Sequence, residues 1–169
     1  MHYQTPWRGQ FGGFGDTASA QGANARALKV TSGENTFVNC TVGLDTVTRT
    51  VANANLELAS AAARNKFINC DFPMMTSSAN SLFIVGTGAG SIDRWNKFQN
   101  SLFYNAVDST STNVSVVASL NAAAGGSLVF NNCSAAGATK WGDAGALANS
   151  YVDNAAPTAA TSGLAVNPS

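Results

Sequence analysis

Asn65-Lys66-Phe67-Ile68-Asn69-Cys70-Asp71-Phe72 is the stretch on which the reading of this chain turns, because it returns elsewhere in the sequence. Upstream it reads Asn35-Thr36-Phe37-Val38-Asn39-Cys40-Thr41-Val42, and downstream Asn96-Lys97-Phe98-Gln99-Asn100-Ser101-Leu102-Phe103. A weaker fourth copy is Leu128-Val129-Phe130-Asn131-Asn132-Cys133-Ser134-Ala135. The second Asn of each copy falls at 39, 69, 100 and 132, which gives steps of 30, 31 and 32 residues. A step of that size is the signature of a repeat architecture, in which each repeat is one supersecondary unit.

Phe37, Phe67, Phe98 and Phe130 stand two residues before that Asn, and a thiol or hydroxyl follows it directly. Successive side chains of a strand point to opposite faces. Phe, Asn and the Val42 or Phe103 three residues further on therefore share one face only if the chain bends after the Asn. Between copies run further β-rich stretches at residues 56–58, 81–85, 113–118 and 147–152, separated by loops rich in Gly, Ser, Thr and Ala. A unit of about 30 residues with two or three short strands cannot bury its own apolar side chains, whereas stacked units make one continuous core.

The expected fold is all-β: a short parallel β-helix, or solenoid, of about four coils over residues 25–153. Residues 1–24 form an N-terminal arm or cap, and residues 154–169, small, polar and proline-punctuated, a flexible C-terminal tail. The coil motif resembles that of the right-handed parallel β-helix proteins, the pectate-lyase-like and phage-tailspike group, whose coils often read Asn-x-Phe-x-Asn-Cys-x-Phe. The resemblance spans residues 25–153 and implies a fold rather than an activity. In such a stack Phe37, Phe67, Phe98 and Phe130 are interior. Asn39, Asn69, Asn100 and Asn132 then form an amide ladder, each carboxamide bonding its equivalent one coil away.

Composition narrows the function. Nine Lys and Arg balance nine Asp and Glu, and only 11% of the 169 residues are charged, so no basic nucleic-acid surface is expected. No apolar run approaches the roughly 20 residues of a membrane span, and no membrane role is expected. The beginning of the chain lacks the apolar core of a signal peptide, so the Asn-x-Ser/Thr triplets at Asn39, Asn113 and Asn132 read as chance. Three cysteines with no Cys-x-x-Cys spacing argue against a disulfide framework or a metal site, and Ser101 interrupts the thiol row. No cofactor is expected.

His2 is the only histidine, which leaves a Ser/His/Asp or Cys/His set without its base. Carboxylate chemistry on a polysaccharide is the enzymatic alternative, but Glu34, Asp71 and Asp93 occupy different positions in the repeat and form no stacked pair. No catalytic residue is expected. Lys66 and Lys97 should lie side by side, with Arg64 near Trp95, either as a solvated edge or as a ridge for an acidic surface or a sugar. At the amino terminus Tyr3, Trp7, Arg8, Phe11 and Phe14 bring aromatics without a period. They either close the first coil or dock on a partner.

By elimination and by resemblance, the expectation is a structural virion protein assembled in the host cytoplasm: a capsid decoration, or cement, protein of a bacteriophage-type particle. Its partners would be major capsid protein subunits and further copies of itself. The alternatives are a glycan-binding tail-fibre or receptor-binding β-helix and a small polysaccharide lyase or hydrolase.

Overall fold

A computed structural model describes residues 6–12, 22, 24–106, 113–143 and 150–152, and no helix occurs among them. The chain is a parallel β-solenoid of about four turns. The strands are β1 (Trp7–Phe11), β2 (Arg26–Val30), β3 (Thr36–Val42), β4 (Leu44–Arg49), β5 (Ala54–Leu58), β6 (Ala62–Ala63), β7 (Lys66–Ile68) and β8 (Asp71–Thr76). They continue as β9 (Leu82–Gly86), β10 (Ile92–Asp93), β11 (Trp95–Gln99), β12 (Leu102–Asn105), β13 (Ala118–Leu120), β14 (Ser127–Asn131), β15 (Ser134–Ala136) and β16 (Ser150–Val152).

Every ladder is parallel. One wall carries β3, β7, β11 and β14; it turns at the motif and continues as β8, β12 and β15. The opposite wall is β2, β5, β9 and β13, and the short pair β6 and β10 closes a corner. Equivalent motif residues are register partners: Phe37 with Phe67, Phe67 with Phe98, and Phe98 with Phe130. Their rings stack face to face at 4.6, 4.8 and 5.1 Å. Phe72 and Phe103 form a second stack at 4.6 Å, set edge-on to the first. Parallel strands lie about 4.8 Å apart, so identical side chains one coil apart fall into ring contact without adjustment.

The turn in the wall is made by Asn39, Asn69, Asn100 and Asn132, whose φ angles are +54°, +52°, +49° and +48°. A left-handed residue costs an ordinary side chain about 1–2 kcal/mol, and Asn is among the few types that visit the region readily. Their carboxamides are exposed. Asn132 donates to Asn100 at 2.9 Å and Asn100 to Asn69 at 3.3 Å, so a ladder exists, but it runs along the solvent side of the bend.

The buried ladder belongs to the first Asn of the motif. Asn65 Oδ1 accepts from the side chain of Asn35 at 2.9 Å and from its backbone N–H at 3.0 Å, and Asn65 in turn donates to Asn96 Oδ1 at 2.8 Å. Asn65 and Asn96 are fully buried. In the fourth coil the position is Leu128, where the ladder ends.

Two segments extend the stack beyond the motif copies. β1 pairs with β3 and sets Phe11 edge-on to Phe37 at 6.0 Å, the position of a cap within residues 1–24. The stretch at 147–152 reads as a second-wall strand in sequence, but β16 pairs with β14 and places Val152 in register with Phe130. It is a further rung of the motif wall beyond the four copies, and the alternation that turns Val152 inward is the reason. Trp141 covers Phe130 at 5.0 Å.

Gly43 stands at a place that the coil reserves for glycine. It has φ +119°, and a Cβ there would stand 2.4 Å from the Pro73 carbonyl oxygen and 2.6 Å from Asn55 Nδ2. That amide donates to both Val42 and Pro73 carbonyls, tying two coils together.

Candidate functional site

The first rung ends the stack in a groove of about 220 Å³. Trp7 and Phe11 of β1, Leu28 and Val30 of β2, and Asn35 and Phe37 line it. β1 is anchored by its ladder to β3 and by the Cys40 thiol, which lies 3.2 Å from the Trp7 carbonyl oxygen. Trp7 is 59% exposed, the largest exposure of a big apolar side chain among the described residues. Arg8 is exposed beside it, whereas Phe11 packs against the core. Of the five aromatic and basic residues singled out at this end, Trp7 and Phe11 line the groove, and Tyr3 and Phe14 lie outside the described residues.

The wall facing away from the core brings Lys66 and Lys97 into register. The Lys66 ammonium lies 6.0 Å from the centre of the Trp95 ring, and Arg64 donates its backbone N–H to the Trp95 carbonyl at 2.6 Å. Arg64 is ion-paired with Glu34, and Arg94 stands 3.8 Å from Asp93.

One carboxylate is tied to the outer wall by a hydrogen bond. Tyr104 donates to Asp45 at 3.1 Å, and both Asp45 and Asp71 act electrostatically on it. Burial, then the Asp45 bond, then the two charges hold the phenol above its ordinary pKa, so it keeps its proton at neutral pH. The association of Asp45 with Tyr104 is not visible in the sequence because Asp45 sits on β4, beyond the motif. Glu57 is held by Arg26 at 3.0 Å and Lys29 at 2.8 Å, and Asp143 accepts from Ser119. No cluster of three His, Cys, Asp or Glu with metal-binding geometry occurs among the described residues. No helix among them is long and apolar enough to cross a membrane.

Cys70 is fully buried between Cys40 and Ser101. Burial pushes its thiol up to about 11, which makes it a poor nucleophile, since the thiolate is the reactive form. The same shift sets a pH dependence. Between about pH 9 and pH 11 the unfolded thiol ionises before the folded one, the unfolded state binds fewer protons, and stability falls as pH rises. Arg49, whose guanidinium burial lowers to about 9, acts in the opposite direction across that window. Cys70→Ser, the residue coil three itself uses, removes only the first effect. Denaturant midpoints from pH 8 to pH 11 should therefore decline more steeply for the wild type than for the variant, and parallel curves would show the thiol to be in contact with solvent.

No known family, no curated protein sequence and no solved structure matches the chain.

Proposed function

We propose that the chain is a structural protein of a bacteriophage-type particle, a capsid decoration protein that braces neighbouring shell subunits. The observation that carries the reading is the groove at the first rung, with Trp7 59% exposed at its rim. Full burial of a large apolar side chain is worth roughly 1.5–3 kcal/mol, the larger share of Trp7 is still in water, and aromatic residues of this kind anchor protein interfaces. The rest of the molecule supplies rigidity. Stacked aromatic rings and amide ladders make a stiff post, and in a bracing role the post transmits load while its end supplies the contact. The occupant of the groove is a segment of the shell subunit, which meets Trp7 and the basic Arg8.

The test is co-sedimentation of the purified chain with assembled capsid shells of the particle it is proposed to decorate. Attachment should be saturable and fall at least tenfold in Trp7→Ala, with the thermal midpoint unchanged. Absence of attachment, attachment indifferent to Trp7, or turnover of a polysaccharide by the purified chain would each overturn the reading.

A further inference from the structure

We infer that the outer wall at β7 and β11 is a binding site for an anionic polysaccharide, one bearing carboxylate or sulfate groups. The inference is independent of the groove at the first rung. Lys66 and Lys97 are register partners on adjacent parallel strands, so their stems leave the sheet about 4.8 Å apart. Neither has a carboxylate within ion-pair distance among the described residues, because Glu34 is taken by Arg64 and Asp93 faces Arg94. Two like charges held side by side on a rigid sheet are relieved by an anion placed between them.

Three chemistries meet on this wall. The lysines supply cations. Trp95, half-buried, lies under Lys66, and its register partner in the next coil is the small Ser127. Beyond Gln99 the wall bends, and there the exposed amides of Asn69, Asn100 and Asn132 line up along the solenoid axis. An aromatic surface suits the apolar face of a sugar ring, the amides suit its hydroxyls, and the lysines suit an acidic substituent. The lysine pair and the amide row both run across the strands, so the chain they accept lies along the axis.

Magnitude decides between polyanions. Arg64 pairs with Glu34 and Arg94 stands by Asp93, which leaves the two charges of Lys66 and Lys97, or +2, on this side of the bend, while Asp71 is exposed just beyond it. Duplex DNA carries one charge per ≈ 1.7 Å and is held by proteins that neutralise many phosphates at once. A charge of +2 suits a polymer whose acidic groups are spaced sugar by sugar.

The test measures binding of the full chain to hyaluronate, which offers carboxylates, and to dextran sulfate, which offers sulfates, by affinity electrophoresis at 50 and 500 mM NaCl. Neutral dextran and single-stranded DNA are the controls. At least one acidic glycan should retard the protein, with the retardation weakened at least tenfold at the higher salt. Lys66→Gln/Lys97→Gln should lose at least tenfold and Trp95→Ala several-fold, with unchanged melting curves, while Trp7→Ala binds as the wild type does. The site is refuted by failure to bind either acidic glycan, by equal retardation in neutral dextran, by DNA binding at least as tight, or by a double lysine variant that binds normally.

Discussion

Phe67→Ala should lower the stability of the protein by about 3–5 kcal/mol, the range seen when a buried aromatic is cut to a methyl group. The ring is fully buried. It is stacked on Phe37 at 4.6 Å and on Phe98 at 4.8 Å, and it meets Phe72 edge-on at 6.0 Å. Removing it opens a hole in the middle of a four-ring column. The column is fixed by strand registers on both sides, so neighbouring rings cannot slide together to close it without breaking ladder bonds. Terminal members of the column should suffer less, because Phe37 is partly covered from one side only by Phe11. Denaturant unfolding of Phe37→Ala and Phe67→Ala, measured together, checks both the size and the order. A loss below about 1 kcal/mol at Phe67 would mean the rings do not stack as described.

The same column explains how much of the fold was legible in the sequence. Phe37, Phe67, Phe98 and Phe130 are readable because a core aromatic must recur once per coil, and the strand spacing makes that recurrence visible as a period. The asparagines are harder, since an amide serves equally well at a left-handed bend and in a buried ladder. The signal was nonetheless present: Asn35, Asn65 and Asn96 stand two residues before their Phe and so share its inward face. The second Asn has the same parity, but its own positive φ turns it outward. Its presence in all four copies, against three for the first Asn, makes the exposed ladder the more legible of the two, and the buried one goes unmarked.

What the period does not mark stays hidden. β1 forms a rung from Trp7-Arg8-Gly9-Gln10-Phe11, which carries no copy of the motif, and β16 joins the first wall although its step from the fourth copy is short. The groove at the first rung is created by where β1 and β2 end up, not by any local pattern. The hydrogen bond between Tyr104 and Asp45 likewise depends on β4 lying against β8, which no spacing reveals. The lysine pair was legible, because Lys66 and Lys97 occupy one position of the repeat and register does the rest.

Asn65→Ala should then cost more than Asn69→Ala, although both residues are asparagines of the same motif copy. Asn65 is completely buried. Its oxygen accepts two donors from Asn35, and its amide group donates to Asn96 at 2.8 Å and to the Ser32 carbonyl at 3.1 Å. Truncation withdraws all four bonds at once, and each buried polar group left without a partner costs about 1–3 kcal/mol. A total of at least about 2 kcal/mol is expected, even after the Asn35 side chain falls back on the Ser32 hydroxyl at 3.3 Å. Asn69 is exposed, and water replaces its 3.3 Å bond to Asn100. Its remaining role is its φ of +52°, for which alanine is penalised by about 1–2 kcal/mol and glycine is not. Asn69→Gly should consequently be close to neutral where Asn69→Ala is not, and Asn65→Gly should be at least as damaging as Asn65→Ala. Chemical denaturation of the four variants separates the two roles. If glycine rescued position 65, or failed to rescue position 69, the assignment of the buried ladder and the bend would have to be exchanged.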